Sequence, residues 1–167
     1  MNPSQRKTLW LGISLLVALI LQAIFADKIK IMGLKPDLTL VLALTGAMFC
    51  EANGASSLGF VAGLLHASFA VPAGGGVGAI IVSRTLICFG IGLLGEHLYR
   101  DSLRVACLAV AAATFLTEVI FYVIAPQPIV VVWFRHAVGT AVYNALLAVP
   151  LYLLLRRTIG RKETDRF

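Results

Sequence analysis

The sequence predicts an all-α membrane protein, a bundle of six transmembrane helices within a single domain over residues 1–167. Three observations predict it. Hydrophobic residues make up 59% of the chain and charged residues only 13%, with a mean hydropathy of +0.92. Soluble domains carry about twice that charged fraction. The apolar residues fall into six runs separated by short polar or Gly/Pro connectors. The basic residues collect at the ends of those runs. A net charge of +6 would suggest nucleic acid in a soluble protein. Here it reads as a signal for orientation in the membrane, with no nucleic-acid partner.

Span 1 covers about residues 8–26. Arg6 and Lys7 ahead of an apolar run resemble a signal peptide. However, residues 9–26 are uncharged and long enough to cross a hydrocarbon core of about 30 Å. Ile24-Phe25-Ala26 is a weak cleavage site, so the run reads as an uncleaved first span carrying Gln22 near its far end. A charged connector follows with Asp27, Lys28, Lys30 and Lys35. Pro36 suits the first turn of a helix, and Asp37 then sits at that helix's positive end. Span 2, at 37–50, is short for a crossing and is read as tilted, thinned or re-entrant. Glu51-Ala52-Asn53-Gly54 reads as a tight turn.

Span 3, at 54–71, has the most informative pattern. Ala55, Gly59, Gly63 and Ala67 recur every four residues and share one helix face. Two glycines at that spacing let a second backbone approach closely, which is how helices associate in lipid. His66 stands on the same side. This helix is therefore expected to be the centre of the bundle. Pro72 and Ala73-Gly74-Gly75-Gly76 end it. Span 4 is 77–95 with Arg84 inside it, and a polar connector leads to span 5 at 103–125, which contains Thr114, Thr117 and Glu118. Pro126-Gln127-Pro128 breaks the chain, 129–134 reads as an interfacial link, and span 6 is 135–155. Trp10, Trp133, Tyr143 and Tyr152 read as interface anchors.

Six crossings put both termini on one side. That side holds nine of the 14 basic residues: Arg6, Lys7, Arg100, Arg104, Arg156, Arg157, Arg161, Lys162 and Arg166. The other side holds Lys28, Lys30, Lys35 and Arg135. Both ends are thus expected in the cytoplasm. With that orientation, Gln22, His66, Arg84 and Glu118 fall in the same outer half on four different helices. An unpaired charge there costs several kcal/mol, so Arg84 is expected to pair with Glu118, with His66 and Gln22 adjacent. Two uses remain open for such a cluster: a substrate or proton site, or a buried tie that fixes helix register. Asn144, near the middle of span 6, reads as an interhelical hydrogen bond.

Catalytic chemistry finds no foothold. His66, His97 and His136 are scattered, and no Ser/His/Asp order, HExxH or phosphate loop is present. Cys50, Cys88 and Cys107 are odd in number, far apart and within apolar runs, which supports neither a disulfide framework nor a zinc site. No catalytic, cofactor-binding or metal-binding residue is assigned.

Several motifs occur together in order. They are Ala18-Leu19-Ile20-Leu21-Gln22 at the end of span 1, Lys35-Pro36-Asp37-Leu38 opening span 2, Leu58-Gly59-Phe60-Val61-Ala62-Gly63-Leu64-Leu65 in span 3, and a basic tail. In this combination the chain resembles the MreD family of bacterial rod-shape-determining membrane proteins. His66 departs from the family, which usually has Asp there. The resemblance implies a non-enzymatic inner-membrane subunit of the cell-elongation machinery that binds the bitopic protein MreC. Through MreC it implies the MreB filament, a RodA-type glycosyltransferase and a class B penicillin-binding transpeptidase. Lys35, Pro36 and Asp37 are the expected outer contact with the partner, and the tail contacts either a partner or anionic lipid. The family is also similar to the six-helix substrate-binding subunits of energy-coupling-factor transporters. That supplies the alternative of a vitamin-type binder, with an outward-open cavity of about 300 Å³ or more.

Overall fold

The computed structural model describes residues 3–25, 28–30, 33–69, 76–95, 102–126 and 129–158. They form six helices: α1 (Pro3–Phe25), α2 (Leu38–Ala47), α3 (Ala52–Phe69), α4 (Val77–Gly95), α5 (Leu103–Ile124) and α6 (Val130–Thr158). Asp27, Pro72, Gly74, Gly75, His97, Arg100, Arg161, Lys162 and Arg166 lie outside the described residues.

Each helix buries one stripe and leaves the rest apolar and exposed. On α1, Leu11, Leu15, Ala18 and Leu19 are buried, while Ile13, Leu16, Val17, Ile20 and Ile24 face outward. The spacing of the buried set is the i, i+4, i+7, i+8 stripe of a helix packed on one side. Leu108, Val123 and Val131 are more than 70% exposed. An exterior built of Leu, Val, Ile and Phe on α1, α4, α5 and α6 suits hydrocarbon, not water. Helices α4, α5 and α6 are long and apolar enough to cross a membrane, by length and composition.

The helix at the centre is α2, not the glycine-bearing α3. Helix α2 touches all five others, whereas α3 packs only on α1, α2 and α4. Residues 39–47 are buried without a break. The physical reason is plain in LTLVLALTGA, which has no charge and no polar flank, so it has no side suited to a boundary. The small residues of α3 mark a pairwise contact instead. A Cβ on Gly59 would sit 2.6 Å from the Arg84 carbonyl oxygen, and one on Gly63 would sit 2.8 Å from the Ile81 Cα. Across the same seam, a Cβ on Gly92 would meet the Ala55 Cβ at 2.7 Å. Ala55, Gly59, Gly63 and Ala67 are all buried, and Phe60, Val61 and Leu64 on the other flank are exposed.

Two boundaries and one side chain depart from expectation. The turn after α2 is formed by residues 48–51, with Phe49 N–H bonded to the Gly46 carbonyl and Cys50 N–H to that of Ala47; Asn53 and Gly54 already belong to α3. The link at 130–134 is the first part of a continuous α6. Tyr152 is buried and stacks on Phe49 at 5.7 Å, so it is a core residue and not an interface anchor.

Directions follow from cross-contacts. Asp37 meets Arg84 and Asn144, while Met48 lies against Gly95 and Phe49 against Tyr152. Helices α2, α4 and α6 therefore run one way, and α1 and α3 run against α2, since Gln22 and His66 near their C-terminal ends meet the start of α2.

Candidate functional site

The polar side chains of the core meet at the N-terminus of α2. Pro36 cannot donate a hydrogen bond, and the first amides of any helix lack intrahelical partners. Asp37 is the N-cap: its Oδ1 accepts from Leu40 N at 2.9 Å and from the Thr39 hydroxyl at 2.8 Å. Its Oδ2 accepts from Arg84 Nη2. Arg84 Nη1 donates to Thr39 Oγ1 at 3.0 Å. The guanidinium is buried, with its side chain 5% exposed.

Two further helices grip the backbone around Asp37. Gln22 on α1 uses both ends of its amide, donating to the Pro36 carbonyl at 2.8 Å and accepting from Leu38 N at 2.7 Å. Asn144 on α6 accepts from Asp37 N at 3.1 Å, and its Nδ2 lies 3.5 Å from Thr114 Oγ1 on α5. His66 Nδ1 lies 3.3 Å from Thr39 Oγ1 and 3.7 Å from Asp37 Oδ1. Thr39 has one hydroxyl proton and gives it to Asp37 at the shorter distance. Its oxygen therefore accepts from His66, which places the imidazole proton on Nδ1.

Gln22, His66 and Arg84 thus converge, but on Asp37 and Thr39. The Arg84–Glu118 pair does not form. Arg84 goes to Asp37, and Glu118, half-buried on α5, makes no hydrogen bond or ion pair among the described residues. It still lies within electrostatic reach of both Asp37 and Arg84. Of the three residues expected at an outer contact, Lys35 is exposed, Pro36 is buried and Asp37 faces the core. The residue pattern does not mark Thr39, and Asp37, expected at an outer contact, is turned inward to Arg84. The shortness of span 2 is the available signal: a helix of ten residues packed among longer ones has its cap inside the bundle.

Among the described residues no group of three or more His, Cys, Asp and Glu is placed to hold a metal ion. The three cysteines are free. The arrangement orients backbone: Gln22 of α1 and Asn144 of α6 satisfy the groups exposed where the chain breaks at Pro36 and restarts as α2, and Arg84 of α4 and His66 of α3 meet the Asp37 and Thr39 side chains beside them. These features define an all-helical, membrane-associated protein with a polar clasp in its core. No protein-family model, curated protein or solved structure matches the chain.

Proposed function

We propose that this protein is a non-enzymatic, six-crossing inner-membrane subunit of the bacterial cell-elongation complex, of the MreD kind. In this reading it binds an MreC-like bitopic protein and through it helps assemble the MreB filament, the RodA-type glycosyltransferase and the class B transpeptidase. Both termini lie in the cytoplasm, on the side with nine of the 14 basic residues.

One observation carries the proposal. Each of three motifs behind the resemblance places residues in the core contacts, while Ile20, Lys35, Phe60, Val61 and Leu64 within them are exposed. Gln22 and the Pro36-Asp37-Leu38 break form the clasp, and Gly59 and Gly63 form the α3–α4 seam. Residues in these motifs hold one another, as in a protein whose task is to present a fixed surface.

The test is co-purification from lipid nanodiscs with an MreC-like partner. The wild-type chain is expected to retain the partner, and the Gly59→Leu/Gly63→Leu double variant to insert but lose it. A wild-type chain that inserts normally and retains no such partner would overturn the reading. Retention of an energy-coupling ATPase would replace it with the vitamin-transporter alternative.

A further inference from the structure

Two buried polar atoms in the described chain have no hydrogen-bond partner, Trp133 Nε1 and Thr140 Oγ1. Both are on α6, seven residues apart, and so on one face. Thr140 is 4% exposed. Its lack of a partner is unusual here, because the hydroxyls of Thr45, Thr85 and Thr117 all return to the carbonyl four residues back. The α6 face concerned is turned to α5. Trp133 stacks on Tyr122 with centroids 4.4 Å apart, and Asn144, four residues beyond Thr140, reaches Thr114.

Those two contacts set the register of the antiparallel pair. Thr114 is level with Asn144, and Tyr122 with Trp133. Glu118 lies midway between Thr114 and Tyr122, and Thr140 lies between Asn144 and Trp133. Glu118 shares a face with Thr114 and Tyr122, because the three are spaced by four. So Glu118, an α5 acceptor without a described partner, stands level with the unsatisfied Thr140 hydroxyl on α6. A buried hydroxyl without a partner is costly, and water held between it and the half-buried Glu118 carboxylate on the neighbouring helix is the usual occupant that removes the cost.

We infer that the α5–α6 seam is a hydrated site, in which ordered water bridges Thr140 to Glu118 and continues toward the indole N–H of Trp133. Trp133 lies one turn inside the start of α6, and Asn144 touches the clasp through Asp37 N. The water file therefore leads from that end of the helix pair to the Asp37–Arg84 pair. This placement gives a buried ion pair a route to solvent along one interface while the outer flanks remain apolar. The inference stands independently of the proposed cellular role.

A double-mutant cycle tests it, with thermal unfolding in nanodiscs as the readout. A hydroxyl without any partner can be removed without loss, whereas one held by bridging water cannot. Thr140→Val is therefore expected to lower Tm by several degrees and Thr140→Ser to stay near wild type. Glu118→Ala is expected to remove most of the effect of Thr140→Val, because the two share one bridge. A Thr140→Val variant as stable as wild type, or more so, would overturn the inference. So would strictly additive effects, or a Thr140→Ser variant that falls as far as Thr140→Val, since only the methyl packing would then matter. If the double variant fails to insert, radical footprinting of Trp133 in the wild-type chain decides: labelling at the level of a buried tryptophan in a dry core counts against the water file.

Discussion

At the scale of single residues, Arg84 has one carboxylate partner, and that partner also caps a helix. Removing the guanidinium leaves Asp37 buried with its charge uncompensated, and breaking a buried pair from one side costs about 3–5 kcal/mol. Arg84→Ala is accordingly expected to be more damaging than Arg84→Met/Asp37→Asn, which removes both charges while Asn keeps the capping oxygen. Thermal unfolding in nanodiscs would show this as a higher Tm for the double variant than for the single one, and the reverse order would mean that the pair does not hold the core. Gln22 gives a second case. Gln22→Ala strands the Pro36 carbonyl and the Leu38 amide together, at about 1–3 kcal/mol for each unsatisfied group. Gln22→Glu keeps the acceptor for Leu38 N but sets a carboxylate against the Pro36 carbonyl beside Asp37, so its Tm should fall at least as far as that of Gln22→Ala.

Whole helices make a different prediction, because the glycines differ in what surrounds them. A methyl on Gly63 would lie 2.8 Å from a backbone atom of α4, and one on Gly90 would meet nothing within 4 Å. Gly63→Ala should therefore destabilise by about 1–3 kcal/mol through overpacking. Gly90→Ala should be neutral or stabilise by about 0.5–1 kcal/mol, since alanine is the better helix former. Equal unfolding temperatures for the two variants would mean that α3 and α4 are not in backbone contact. The close approach at Gly59 and Gly63 was legible in the sequence because small residues four apart are a local signal. The central position of α2 was not read from it, since centrality depends on which helices surround an element. The uniform apolarity of residues 38–47 is the clue to it. Asp37 depends on the same placement. Placed in a connector at the membrane surface it looked like a partner contact, whereas the fold takes it inside and so captures the Arg84 that Glu118 was expected to hold.

At the scale of the whole molecule, the six-crossing reading proposed above requires α2 to be reconciled with a membrane. Ten residues of helix span about 15 Å, half of a hydrocarbon core of about 30 Å. Helix α2 runs beside the later part of α4, from Arg84 to Gly95, so the missing half lies before it, along residues 33–37. Non-helical backbone is tolerated at that depth only where protein covers it and its polar groups are satisfied. The clasp meets both conditions at residues 36–38, while Gly33 and Lys35 ahead of it are exposed: Pro36 is buried, its carbonyl is bonded to Gln22, and the amides of Asp37 and Leu38 are bonded to Asn144 and Gln22. In the six-crossing reading, the clasp is what lets a helix of ten residues and its lead-in serve as one crossing. Reporter fusions follow from this. Alkaline phosphatase joined after residue 29 should be active outside the cell, and a fluorescent protein joined after residue 50 or after 158 should fluoresce inside. If the fusion at 50 instead reports the same side as the fusion at 29, α2 enters and returns, the count of crossings becomes odd, and the two termini fall on opposite faces of the membrane.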